Sequence, residues 1–190
     1  MSKDRKQIIL QSLAKLLEER DTTKVTTAVL AAESGITEAA LYRHFPSKRS
    51  IFLELFTFCD QTIFHKVGEI KKDNDIEAEE KVRLIFFFYA IFLEKNKGFA
   101  RILSREALGP SEQNVIDSVN QFYERLELSI KQLLSSKKDS LQLTPGQGAH
   151  FITSIMEGII SRFIRNKFKE IPSSYIENYW LLISTSIFKR

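Results

Sequence analysis

Residues 25–48 read VTTAVLAAESGITEAALYRHFPSK. Two short helical patterns meet within this stretch. Thr26 or Thr27 can cap a helix of mostly small residues, Ala28 to Ser34, because a hydroxyl ahead of the first turn accepts from an orphan backbone N–H. Gly35 stops that helix, since glycine tolerates the left-handed conformation at a helix end. Thr37 caps the next helix, Glu38 to His44. Ile36 and Leu41 have the spacing of a hydrophobic staple, and Pro46 ends the element. Two capped helices joined by a glycine turn fit a helix-turn-helix from Thr26 to Lys48, whose second helix would enter the major groove of DNA, though the pattern alone also fits an ordinary αα corner.

The same spacing assigns faces. Leu41 and Phe45, four residues apart, turn inward and leave Glu38, Ala39, Tyr42 and Arg43 outward. Ala28, Ala31, Ala32, Ala39 and Ala40 are expected to keep side chains small where the two helices cross. Ala39 fits a thymine methyl, Arg43 reaches guanine or phosphate, and Glu38 can accept from cytosine N4. Glu38 reads equally well as a solvated carboxylate favoured by a helix N-terminus.

Helical spacing continues outward from the motif, so the fold class is all-α with about nine helices. A helix from about Asp4 to Arg20 presents Ile9, Leu13, Leu16 and Leu17 on one face, and polar residues Asp21 to Val25 end it. Ser47 and Lys48 open a fourth helix running through Phe52, Leu55, Phe56 and Ile63. Beyond the polar stretch Lys71 to Glu80 come a fifth helix to about Lys95 and a short sixth, Phe99 to Leu108, stopped by Gly109-Pro110. Val115, Ile116, Val119, Phe122, Leu126, Ile130 and Leu133 define the seventh. After the polar loop Ser135 to Leu143, Thr144-Pro145 starts the eighth with proline in its first turn. Pro172 precedes the last helix, which carries Tyr175, Tyr179, Trp180, Ile183 and Ile187. The pattern divides into a DNA-binding domain at 1–48 and a dimerisation and partner-binding domain at 49–190.

The eighth helix is apolar on more than one face, as expected if one side meets its own core and another a second copy of the chain. Gly158 would let helices approach closely. The alternative is a helix buried wholly within one subunit.

Composition bounds the rest. Of 190 residues 43% are hydrophobic, enough for a sizeable core. Cys59 is the one cysteine, which excludes an internal disulfide and suits a reducing compartment. Residues 1–50 hold nine Lys/Arg against six Asp/Glu, so most of the net +4 lies in the first quarter. That excess permits nucleic-acid binding without demonstrating it. The N-terminal residues form an amphipathic helix pattern rather than a leader peptide, and Glu18 and Glu19 on its polar face disfavour a membrane role. The longest apolar run, Leu84 to Leu93, falls well short of the roughly 18 residues that cross a bilayer. A cytoplasmic, nucleoid-associated protein is expected. His44, His65 and His150 are dispersed, with no metal-ligand spacing, phosphate-binding glycine loop or nucleophile–base arrangement, so neither catalysis nor a cofactor nor a metal is expected.

The quoted stretch resembles the DNA-binding domain of TetR-family regulators, and "LYRHFPSK" is its most specific part. The resemblance implies phosphate contacts from Tyr42, His44, the capping Thr26 or Thr27, and Lys48; hydroxyl, imidazole and ammonium groups at helix ends suit that work. For His44 the alternative is a packed, hydrogen-bonded core residue. Later blocks, "ARILSREAL" and "EGIISRFIRNKFKEIP", resemble one branch of that family, the nucleoid occlusion factors. That implies a homodimer on palindromic DNA which binds FtsZ, the tubulin-like division GTPase, and blocks Z-ring assembly over unsegregated DNA. It further implies an FtsZ-tail groove at Phe58, Lys66, Phe88, Ile91, Lys95 and Asn96. Lys66 and Lys95 stand where the branch usually has arginine, which should weaken or rearrange carboxylate pairing, and Ile91 stands where it has a smaller residue and could narrow the groove. Phe58 and Phe88 also read as plain core. The wider family's commoner role, a repressor released by a small ligand, would need an internal pocket near Phe87, Phe92 and Phe122.

Overall fold

The computed structural model describes residues 2–19 and 25–189, with side chains from residue 5 onward. Among the described residues there are nine α-helices: α1 (Ser2–Glu19), α2 (Thr27–Glu33), α3 (Glu38–His44), α4 (Lys48–Lys72), α5 (Ala78–Lys95), α6 (Lys97–Leu103), α7 (Gln113–Ser135), α8 (Pro145–Arg165) and α9 (Ile176–Ile187). The all-α expectation holds. The break foreseen at Asp21 to Val25 lies, apart from Val25, outside the described residues.

The chain divides into two compact units, Met1–Gln61 with Asn96–Val119, and Thr62–Lys95 with Asn120–Arg190. These units cut the chain differently from the 1–48 and 49–190 division read from the sequence. Contact groups α6 and the first part of α4 with the N-terminal helices, an association that no local pattern announces.

In the first unit, Ile9, Leu13, Leu16 and Leu17 of α1 are wholly buried, as their spacing requires. Helix α1 packs on α6 and α2. Its approach to α6 is close because Gly98 is buried there: a Cβ on that residue would lie 2.5 Å from the Ala14 carbonyl oxygen. Phe56 and Phe99 pack at a tilt, with ring centroids 5.9 Å apart. Cys59 is buried, and burial pushes its thiol up to about 12, so it stays protonated at neutral pH. Helix α6 ends at Leu103, earlier than the Gly109-Pro110 stop expected, because Arg105 takes a left-handed conformation (φ 63°) and turns the chain first.

In the second unit, α5 packs on α8 and α9, burying Val82, Ile85, Phe86, Tyr89, Ala90 and Leu93. Phe122 is fully buried and rings surround it: Phe64 at 5.4 Å, Tyr89 at 6.4 Å and Tyr123 at 5.3 Å. The Thr144-Pro145 start of α8 is as expected, with a reciprocal capping pair between Thr144 and Gln147. The C-terminal strand-like end was not foreseen. Leu141 and Phe188 form an isolated antiparallel bridge, and Gln142 donates to the carbonyls of Thr185 and Phe188.

Candidate nucleic-acid interface and partner surfaces

The turn between α2 and α3 is built from the residues the sequence marked. Thr26, in extended conformation, caps α2 by accepting from Val29 N at 3.2 Å, which leaves Thr27 as the first helical residue. Ser34 closes α2 and Gly35 follows at φ +65°. Gly35 N donates to Ala32 O at 3.1 Å and Ile36 N to Ala31 O at 3.0 Å, the paired bonds of a Schellman turn. Thr37 caps α3 through Ala40 N at 3.2 Å. Serines then restart the chain as α4: Ser50 N donates to Ser47 Oγ and Ser47 N to Ser50 Oγ, both at 3.2 Å. Ser50 thus does the work of the usual glutamate in a capping box, which hid it from a sequence search.

The two faces of α3 separate as expected. Leu41 and Phe45 are buried, while Glu38, Ala39, Tyr42 and Arg43 are exposed, Tyr42 to 47%. His44 is half-buried at the end of α3. The alanine expectation needs correction. Ala31 is buried and Ala40 half-buried, but Ala28, Ala32 and Ala39 are exposed, so three of the five are not enclosed by a helix crossing.

Lysine placement is set by aromatic faces. Lys48, at the first position of α4, holds its ammonium 5.2 Å above the Phe52 ring centroid. Lys6 of α1 does the same over Phe45 at 5.1 Å, bringing a cation beside the end of α3. Nothing in the local pattern of α1 distinguishes Lys6 from any solvated lysine, and only the tertiary contact marks it. The resemblance implies phosphate contacts for Tyr42 and Lys48, and substitution tests them. Each of Tyr42→Ala and Lys48→Ala is expected to weaken duplex binding about ten-fold on any sequence, and Lys48→Ala to reduce the salt slope by about one. Arg43→Ala should also alter sequence preference; anisotropy titrations at several salt concentrations read all three.

Two other surfaces lie in the second unit. The first is a groove of about 480 Å³ between α4 and α5, with Ile70, Leu84, Phe87, Phe88 and Ile91 as walls and Lys66, Glu69 and Asp73 at its edge. It gathers three of the residues named from sequence: Lys66, Phe88 and Ile91. Phe88 is half-buried and packs at a tilt on Phe92, ring centroids 5.7 Å apart, so it is both wall and packing residue. The rim is not simply basic. Lys66 Nζ lies 2.9 Å from Glu69 Oε2, and Lys66 is the main reason the Glu69 carboxyl titrates below the usual range. Lys95 is exposed but does not line this groove. In the first unit, Phe58 of α4 is 65% exposed, which sets aside its reading as plain core, and Asn96 is half-buried.

The second is a hollow of about 440 Å³ on α8 and α9, lined by Phe151, Ile155, Gly158, Tyr179, Leu182 and neighbours, with Arg162 and Arg165 at its edge. Phe151, Leu181 and Leu182 are 39%, 55% and 65% exposed. A Cβ on Gly158 would meet nothing within 4 Å. Apolar side chains gathered on one exposed face usually mark an association surface.

Comparison with known proteins fits this geometry. Residues 9–55 match the family described as bacterial regulatory proteins, tetR family, and residues 77–187 match the tetracyclin repressor-like C-terminal domain of the SlmA-like type. The chain belongs to the TetR family, within its SlmA branch. The Vibrio cholerae protein named nucleoid occlusion factor SlmA is 35% identical over 97% of this chain and 96% of its own length. The Yersinia pseudotuberculosis protein of the same name is 36% identical over 95% and 93%. Among solved structures, NalD from Pseudomonas aeruginosa, a repressor of a multidrug efflux pump, superposes with TM-score 0.82 over 98% of both chains at 15% identity, which speaks for the shared fold alone. This TetR-family chain is a DNA-binding regulator, and its relatives are not enzymes. No described helix is long and apolar enough to cross a membrane.

Proposed function

We propose that this TetR-family chain is a nucleoid occlusion factor. As a homodimer it holds palindromic sites through α3 in the major groove, its two recognition helices about 34 Å apart. Once on DNA it binds FtsZ and prevents Z-ring assembly and septum formation over the chromosome. The observation that carries this reading is the reach of the similarity. Proteins named for nucleoid occlusion match nearly the whole chain, including the C-terminal domain, where members of a fold family diverge with their partners.

The α4–α5 groove supports the partner half of the reading. Its apolar walls suit a short peptide that orders on docking, and Lys66 offers a cation to an acidic segment. Because Glu69 already holds Lys66, freeing that ammonium should help. Glu69→Gln is expected to tighten binding of an FtsZ C-terminal peptide two- to five-fold, and Lys66→Glu to weaken it about ten-fold, with DNA affinity unchanged in both. Peptide anisotropy against the DNA-bound protein measures this.

A small-ligand switch is less well supported. Phe87, Phe92 and Phe122 would have to share an internal pocket, yet Phe87 lines the outer groove, Phe92 packs on Phe88, and Phe122 is enclosed by other rings. A genome-wide map of binding sites separates the two functions. Many sites spread along the chromosome and sparse near its terminus support nucleoid occlusion; one site beside a transporter or enzyme gene contradicts it.

A further inference from the structure

The first hydroxyl inside α2 already has an acceptor. Thr27, the first residue of α2, donates to the carboxylate of Glu38, the first residue of α3. The Tyr42 hydroxyl stands 3.5 Å from the same Thr27 oxygen. Thr27 is half-buried, while Glu38 and Tyr42 are exposed. The Glu38 oxygen therefore fills the acceptor position that a phosphate oxygen would take, and it brings the phosphate's own sign of charge to the outward face of the recognition helix.

We propose that Glu38 determines specificity by guarding the Thr27 hydroxyl. On a duplex that presents a base-edge amino group such as cytosine N4, the carboxylate turns to that donor and releases Thr27 to a phosphate. Both polar groups are then satisfied. On any other sequence, Glu38 either keeps Thr27 from the backbone or is left facing phosphate charge without a donor. The cost falls on the wrong sequences, where an unpaired charge loses more than a good contact gains. This rests on the docking of α3 proposed above.

The test uses the full chain with two duplexes: one enriched by the wild-type protein from a random pool, and a scrambled duplex of the same length and composition. Glu38→Gln removes the charge and leaves a neutral, weaker acceptor that bridges α2 and α3 in the free protein but yields Thr27 to a phosphate oxygen, so it separates the guard from a mere brace. Glu38→Gln is expected to bind the scrambled duplex about three- to ten-fold more tightly than wild type, with a salt slope steeper by up to one, and the enriched duplex no more tightly. Thr27→Val should hardly change scrambled-duplex binding in the wild-type background, where the hydroxyl is occupied, but should weaken it several-fold in the Glu38→Gln background. That non-additivity is the signature of the guard. Glu38→Gln matching wild type on both duplexes at every salt concentration, or additive effects of the two substitutions, would overturn the inference. The two levels fail differently: wild-type affinity in Tyr42→Ala and Lys48→Ala defeats the docking of α3, whereas weakened binding in those variants with a silent Glu38→Gln defeats the guard alone.

Discussion

Leu182→Asp is expected to convert the proposed dimer to a monomer and to lower affinity for a palindromic site by about 100-fold or more. Leu182 is 65% exposed on α9, beside Phe151, Ile155 and Gly158 of α8. An isologous interface uses this face from both copies, so the substitution puts a carboxylate into the apolar contact twice. DNA affinity should fall steeply because two linked recognition helices gain from effective concentration, and a single helix does not. Since Leu182 is exposed within the chain, the monomer should keep its fold and helical content. Sedimentation equilibrium with circular dichroism reads the assembly and fold, and DNA titration reads the consequence. A folded Leu182→Asp dimer with wild-type DNA affinity would place the dimer face elsewhere.

Gly98→Ala is expected to cost about 2–3 kcal/mol and to lower Tm by roughly 4–10 °C. The added Cβ would meet backbone, lying 2.5 Å from the Ala14 carbonyl oxygen and 3.0 Å from its Cα, and a backbone cannot rotate aside as a side chain does. Helix α6 must then withdraw from α1 and disturb the Lys97–Glu18 ion pair that ties them. Because α1 also packs on α2, DNA binding should weaken along with stability. Thermal unfolding followed by circular dichroism tests this, and an unchanged Tm would show that α1 and α6 have room for a methyl group at Gly98.

Most of the DNA-reading segment was legible in the sequence because local chemistry decides it. Thr37, Gly35 and Pro46 each act within a few residues, and α3 begins at Glu38 and ends at His44 as expected. The features that escaped depend on distant partners. Thr27 and Glu38 are eleven residues apart, and only the α2–α3 angle brings hydroxyl and carboxylate together. Lys6 gains meaning from Phe45, and Gly98 from Ala14, neither of which a periodic pattern can supply. Alanines at the motif also misled: small size suits both a helix crossing and a face that meets DNA, and three of the five are exposed. In the groove, Lys66 and Glu69 are three residues apart on one helix, so their pairing could have been read from spacing. The α4–α5 walls could not, because Phe87 and Phe88 lie in an unbroken apolar run whose outward members show no period.

The most direct measurement is titration of an FtsZ C-terminal peptide against the wild-type protein, with and without its enriched duplex. The proposed function predicts saturable binding that the duplex strengthens and Lys66→Glu weakens, together with inhibition of FtsZ polymerisation by the DNA-bound protein. No binding in either state, with polymerisation unaffected, would contradict it.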